Sequence, residues 1–328
     1  MKTEPGGGWF AGGILALIAA GAVGLAGLIY GASGLPLVST TLVIGLLFVP
    51  YFILGFAGPR EFISHALAGR RSRLAGASAL LIVPYLAYAF GTSTYSMSAL
   101  FTLAFYLAVP TAIILLIKPT EKSISWLDGL AVLALWLPFD FRLIQGVWTW
   151  PGGIGGYAAS SLVAVNLGLL LFLGWRRIEG IGYAFRLRLL DLQIASVNLA
   201  IFAVIAVPLA TMIDFIEFRG TAPEPLNIFT SWITLLVFVA LPEEFLFRGL
   251  IQNFLHHWLG KGWPVLILAA VIFGAAHLEN DGFPNYRYFL LASIAGIFYG
   301  RAYLQSRNLM APVAVHASVD AIWQAFFR

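Results

Sequence analysis

The chain of 328 residues has no cysteine and very little charge, and each shortage narrows what it can be. Without cysteine there is no disulfide, no thiolate metal ligand and no cysteine nucleophile. Asp, Glu, Lys and Arg together make up 10% of the residues against 60% hydrophobic ones, and the mean hydropathy is +0.89. Soluble domains carry about a quarter charged residues, so that class is excluded. His-Glu-x-x-His, Gly-x-Ser-x-Gly and a glycine-rich phosphate loop are also missing, which leaves zincin, serine-hydrolase and nucleotide chemistry without their usual signatures.

What is present is a series of apolar runs, each long enough to cross the roughly 30 Å of hydrocarbon in a bilayer. They predict an all-α, multi-pass integral membrane bundle of about eleven spans. The first run is Trp9 to Tyr30, where Gly12, Ala16, Ala20 and Gly24 form a small-residue stripe suited to close helix approach. Met1-Lys2-Thr3-Glu4 ahead of it is not net basic, so the run reads as a retained span rather than a signal peptide. After the second run comes a loop with Arg60, Arg70, Arg71 and Arg73, the densest basic cluster. Alternate loops carry most of the Lys and Arg, which places that loop in the cytoplasm and the acidic 214–224 loop on the other side. The pI of about 9.4 therefore reflects membrane orientation and not nucleic-acid binding.

Span five, Trp126 to Val147, contains Pro138, Asp140 and Arg142, and Trp148 and Trp150 after it suit an interfacial belt. A Gly152–Gly156 turn precedes span six. Arg176, Arg177, Arg186 and Arg188 mark a linker along the membrane surface. It separates an N-terminal accessory region of six spans, 1–185, from a C-terminal region of five, 186–328.

The organising stretch is Pro242-Glu243-Glu244-Phe245-Leu246-Phe247-Arg248, which sets two carboxylates and a guanidinium in an apolar run. Such charges are expensive in hydrocarbon and need a partner or a function. Glu244 and Arg248 are i and i+4 on one helix face and predict an ion pair, whereas Glu243 points about 100° away. Glu243 keeps an unpaired carboxylate suited to general-base work. A helix end emerging into water with a charged fringe is the bland reading of the same residues.

Further along, His277 closes the ninth run, and His316 and Asp320 share one face of the eleventh at i and i+4. Polar residues in separate apolar spans normally face the bundle interior and one another. Ala292, Gly296 and Gly300 read as a packing face, and His65, His256 and His257 as bystanders. A glutamate base with one histidine can polarise a water while the second histidine and Asp320 stabilise an oxyanion. Alternatively, His277, His316 and Glu243 form a two-His, one-Glu ligand set for zinc.

Glu243-Glu244-x-x-x-Arg248, Phe273-x-x-x-His277 and His316-x-x-x-Asp320, in this order, resemble the three motifs of the CPBP family of intramembrane proteases. That family includes type II CAAX prenyl endopeptidases and bacteriocin-immunity relatives. Gly296-Ile-Phe-Tyr-Gly300 and Ala311-Pro-Val-Ala-Val-His316 match as well, and the resemblance covers Leu226 to the C-terminus. It implies an endopeptidase acting on membrane-associated proteins, prenylated CAAX-type chains among them, in the cell membrane. It further implies that Glu243 and His277 activate the water, that His316 and Asp320 form the oxyanion site, and that Glu244 and Arg248 support them. No metal or cofactor is expected, with zinc as the alternative. Asp320 departs from the pattern, since Asn is the usual occupant. A non-catalytic immunity-like protein and a proton-coupled transporter are the competing classes.

Overall fold

The computed structural model describes residues 7–29, 31–118, 123–149, 155–221 and 223–327. Met1–Glu4, Trp150 and Gly152–Ile154 lie outside the described residues. Twelve helices and no strand occur among the described residues, with one isolated antiparallel bridge between Phe218 and Phe327. They are α1 (Gly7–Ile29), α2 (Gly34–Ile53), α3 (Ala57–Leu67), α4 (Arg71–Gly91), α5 (Met97–Leu116), α6 (Trp126–Asp140), α7 (Gly156–Trp175), α8 (Leu189–Met212), α9 (Pro225–Leu259), α10 (Trp263–Ala275), α11 (Tyr286–Ser306) and α12 (Met310–Phe326). Seven of these, α1, α2, α4, α5, α7, α8 and α9, are long and apolar enough to cross a membrane, which fits an integral membrane protein. The helices group into two compact units, Met1–Ile178 and Glu179–Arg328.

In the first unit α1 packs on α2 through its small residues. A Cβ added at Gly12 would lie 2.7 Å from Ile53 Cγ2, so only glycine permits this approach. The basic loop after α2 is in part helical. Phe56 is extended, Pro59 sits in the first turn where its missing N–H costs nothing, and α3 carries Arg60 as part of a helix. Trp148 does not join an interfacial belt: it is buried edge-on against Tyr85 and Tyr88, with centroids 5.7 and 5.4 Å away. Arg176 is likewise not on a surface linker. It is buried and bidentate to the buried Asp128, at 2.7 and 2.8 Å, and it also donates to Ser123 O at 2.7 Å. The Asp128 carboxylate completes this cage by accepting from Ser125 N at 2.8 Å, so both buried charges are satisfied.

In the second unit α8 packs against α11 and α12, α10 and α11 form an antiparallel hairpin, and the N-terminal part of α9 lies on α12. The connection before α8 is irregular and tied down by its own carbonyls. Gly182 O accepts from Leu309 N at 3.0 Å, and Arg186 O accepts from Asn308 Nδ2 at 2.6 Å. At the start of α8, Asp191 accepts from the backbone N–H of Arg188 at 2.9 Å and from its guanidinium at 2.7 Å, while the same guanidinium reaches Ser306 O at 2.8 Å. At the opposite end of the unit, Arg219 N donates to Phe326 O at 2.9 Å and Arg287 Nη1 to Asp214 O at 3.1 Å.

Candidate active site

The site grows from an irregularity in α9. Pro242 has no N–H to give to the preceding turn, and the helix widens to π geometry over Leu236–Ala240, where Leu241 N donates five residues back to Leu236 O. A second π segment, Phe245–Gln252, follows the short α-helical Leu241–Glu244. Wide turns of this kind recur at functional sites. Here the two wide segments flank both glutamates, and the second carries Arg248.

Glu244 is fully enclosed and Arg248 is 2% exposed. Arg248 Nη1 donates to Glu244 Oε1 at 3.1 Å, and its Nη2 reaches across to Gly296 O on α11 at 3.3 Å. One turn further, Gln252 Nε2 donates to Gly300 O at 3.2 Å. Glycine at both positions lets α11 approach closely, to α10 at Gly296 and to Gln252 of α9 at Gly300. A Cβ on Gly296 would meet Ala270 Cα at 2.9 Å, and one on Gly300 would meet Gln252 Oε1 at 2.5 Å. The guanidinium also lies over two rings, with Arg248 Cζ 4.3 Å from the Phe273 centroid and 5.2 Å from that of Tyr299.

His316 on α12 is the hub of the group. Its Nδ1 lies 2.8 Å from Glu244 Oε1, the oxygen that also takes Arg248. A carboxylate paired with arginine accepts, so Nδ1 carries the hydrogen and donates. Its Nε2 faces two further carboxylates, Asp320 Oδ2 at 3.5 Å and Glu243 Oε2 at 3.8 Å. The side chains of Glu243 and Asp320 are 22% and 23% exposed, against 4% for His316 and none for Glu244. Glu244 and His316 are thus the enclosed pair, and Glu243 and Asp320 the more accessible one.

His277 follows α10 and stands apart from the ion-paired group. Its Nδ1 is 2.8 Å from Phe273 O, and since a carbonyl only accepts, this nitrogen carries the hydrogen and leaves Nε2 as acceptor in the neutral ring. The ring packs on Phe273 at 4.6 Å and Tyr288 at 5.1 Å. His277, His316 and Asp320 come together on the wall of a cavity of about 130 Å³, with Tyr299 beside them and Phe202 and Ala206 of α8 among its apolar lining. One carboxylate and two imidazoles therefore share the wall of an apolar recess, and Glu243, which does not line it, joins the group through His316 Nε2.

Among the described residues no group of three or more His, Cys, Asp or Glu side chains is arranged to hold a metal ion. Sequence reasoning did not single out Tyr299 or Gln252, which touch Arg248, His316 or the glycines of α11. The available signal was their placement: Tyr299 lies inside Gly296-Ile-Phe-Tyr-Gly300, and Gln252 is one turn beyond Arg248.

No curated protein and no solved structure was found to match the chain. Residues 225–322, the span that holds Glu243, Glu244, Arg248, His277, His316 and Asp320, match the family of type II CAAX prenyl endopeptidase Rce1-like domains.

Proposed function

We propose that the chain is an intramembrane endopeptidase of the glutamate type, hydrolysing peptide bonds of membrane-associated proteins, prenylated CAAX-type chains among them, in the plasma membrane. The seven long apolar helices, completed by α6, α10, α11 and α12, make eleven crossings, with residues 186–328 as the protease domain. The observation that carries the reading is the hub at His316, whose Nδ1 is tied to the enclosed Glu244 while Nε2 faces the accessible Glu243 and Asp320.

In this reading Glu243 takes a proton from water, whose oxygen attacks the scissile carbonyl carbon. His277, with Nδ1 held by Phe273 O, offers Nε2 to orient that water. Negative charge builds on the carbonyl oxygen, which accepts from Nε2–H of His316 in its imidazolium form and from the protonated carboxyl of Asp320. The C–N bond then breaks and Glu243 returns its proton to the leaving amine, so protons balance. Glu244 and Arg248 take no part in the transfer and hold His316 in place.

The test is cleavage of membrane-anchored reporter proteins, prenylated and unprenylated, by purified protein in liposomes. Wild type should cut, and Glu243→Gln should insert and purify normally while cutting at least 10²-fold more slowly, the lower range for loss of a general base. Equal turnover by the two would end the assignment of Glu243 as base.

A further inference from the structure

Tyr299 of α11 is buried, and its ring lies face to face with the imidazole of His316, with centroids 4.7 Å apart and planes inclined by 19°. The other aromatic neighbour of His316, Phe273, meets it edge-on at 5.8 Å and 89°. A hydrogen bond from Nδ1 to Glu244 limits rotation of the imidazole about Cβ–Cγ only to the range of angles that a hydrogen bond tolerates. A flat partner narrows that range, because rotation would lift the ring off its stacked contact. The remaining freedom matters here, since turning the ring about Cβ–Cγ carries Nε2 away from Asp320 Oδ2 and Glu243 Oε2. Tyr299 also lies 5.2 Å from the Arg248 guanidinium, so one ring touches both groups that bind Glu244 Oε1.

We propose that Tyr299 is a positioning residue, whose ring face sets the plane of His316 and thereby aims Nε2 at Glu243 and Asp320. The proposal rests on the hydrolytic reading for its kinetic consequence, but its geometric content stands apart from it. Ring planarity is the property required, and the hydroxyl is dispensable.

Three variants separate the possibilities. Tyr299→Phe keeps the face and should retain kcat within about 2-fold, whereas Tyr299→Leu fills similar space without a face and should lower kcat by about 10- to 100-fold with KM little changed, the range for a small misplacement of a reacting group. Tyr299→Trp should recover part of that loss. The second readout is the NMR shift of the His316 ring protons in detergent micelles, assigned by comparison with His316→Gln. Stacking on an aromatic face moves these protons upfield in wild type and Tyr299→Phe, and the displacement should vanish in Tyr299→Leu. Should Tyr299→Leu not fold, Tyr299→Phe and Tyr299→Trp still decide the matter by both readouts. Full kcat in Tyr299→Leu, or a loss in Tyr299→Phe as large as in Tyr299→Leu, overturns the proposal. Absence of an upfield shift in wild type overturns it too. If wild type cleaves nothing while the shift follows the ring face, the hydrolytic reading fails and the positioning of His316 stands.

Discussion

The imidazole of His316 and the carboxylate of Glu244 meet at 2.8 Å although 72 residues separate them, and the oxygen they share is also the one that receives Arg248. Glu244 is therefore a joint between two helices as well as half of an ion pair. Its loss would release Arg248 and His316 together.

Arg248→Ala should be damaging chiefly through the fold. It strands an enclosed carboxylate, a change of about 3–5 kcal/mol for a buried pair. It also removes the bond to Gly296 O. Thermal unfolding in detergent checks this, and an unaltered melting temperature with normal yield would show that Glu244 finds another partner.

Asp320→Asn should keep most of the activity, since an amide donates a hydrogen bond to a developing oxyanion without carrying charge. Asp320→Ala offers nothing to that oxygen and should lose about 10²- to 10³-fold in kcat, the range for a deleted oxyanion donor. Identical rates in wild type and Asp320→Ala would remove the residue from the chemistry.

Activity should survive prolonged treatment with a strong zinc chelator, and elemental analysis of pure protein should find zinc far below one ion per chain. Tightly held stoichiometric zinc whose removal abolishes cleavage would transfer the case to a metalloprotease.

Orientation can be mapped directly, because a chain without cysteine needs no background removal before single-cysteine labelling. In intact cells an impermeant maleimide should react at Arg219→Cys and not at Lys261→Cys, following the distribution of basic residues. The reverse pattern would invert the protease unit in the membrane.

Gly296→Val should destabilise by about 1–3 kcal/mol, as overpacking does. The added Cβ alone would press on the Ala270 backbone at 2.9 Å, and α10 has no flexible side chain there to yield. A melting curve matching wild type would show that α10 and α11 part without penalty.

The apolar runs and the four-residue spacing of Glu244 and Arg248 were legible in the sequence, because both are local properties of a helix. Helix α3 was not, since Arg60, Glu61 and His65 dilute its apolar residues and hide it inside a basic stretch. Trp148 illustrates a different failure: composition suggests an interface, but Tyr85 and Tyr88 from a distant helix claim the ring. The π segments of α9 also left no periodic trace, for Pro242 announces a missing hydrogen bond without saying how the turn will absorb it. Contacts such as His316 with Glu244 depend on helix order in space, which no spacing within one run encodes.

The paired bonds from Arg248 to Gly296 O and from Gln252 to Gly300 O repeat one turn apart on both helices. They act as two teeth of one gear. A slip of a single residue turns the carbonyls of α11 by about 100° and disengages both at once. The length of the segment from Gly296 to Gly300 is consequently fixed as tightly as its glycines: any one-residue insertion or deletion there uncouples α11 from the helix that bears the glutamates.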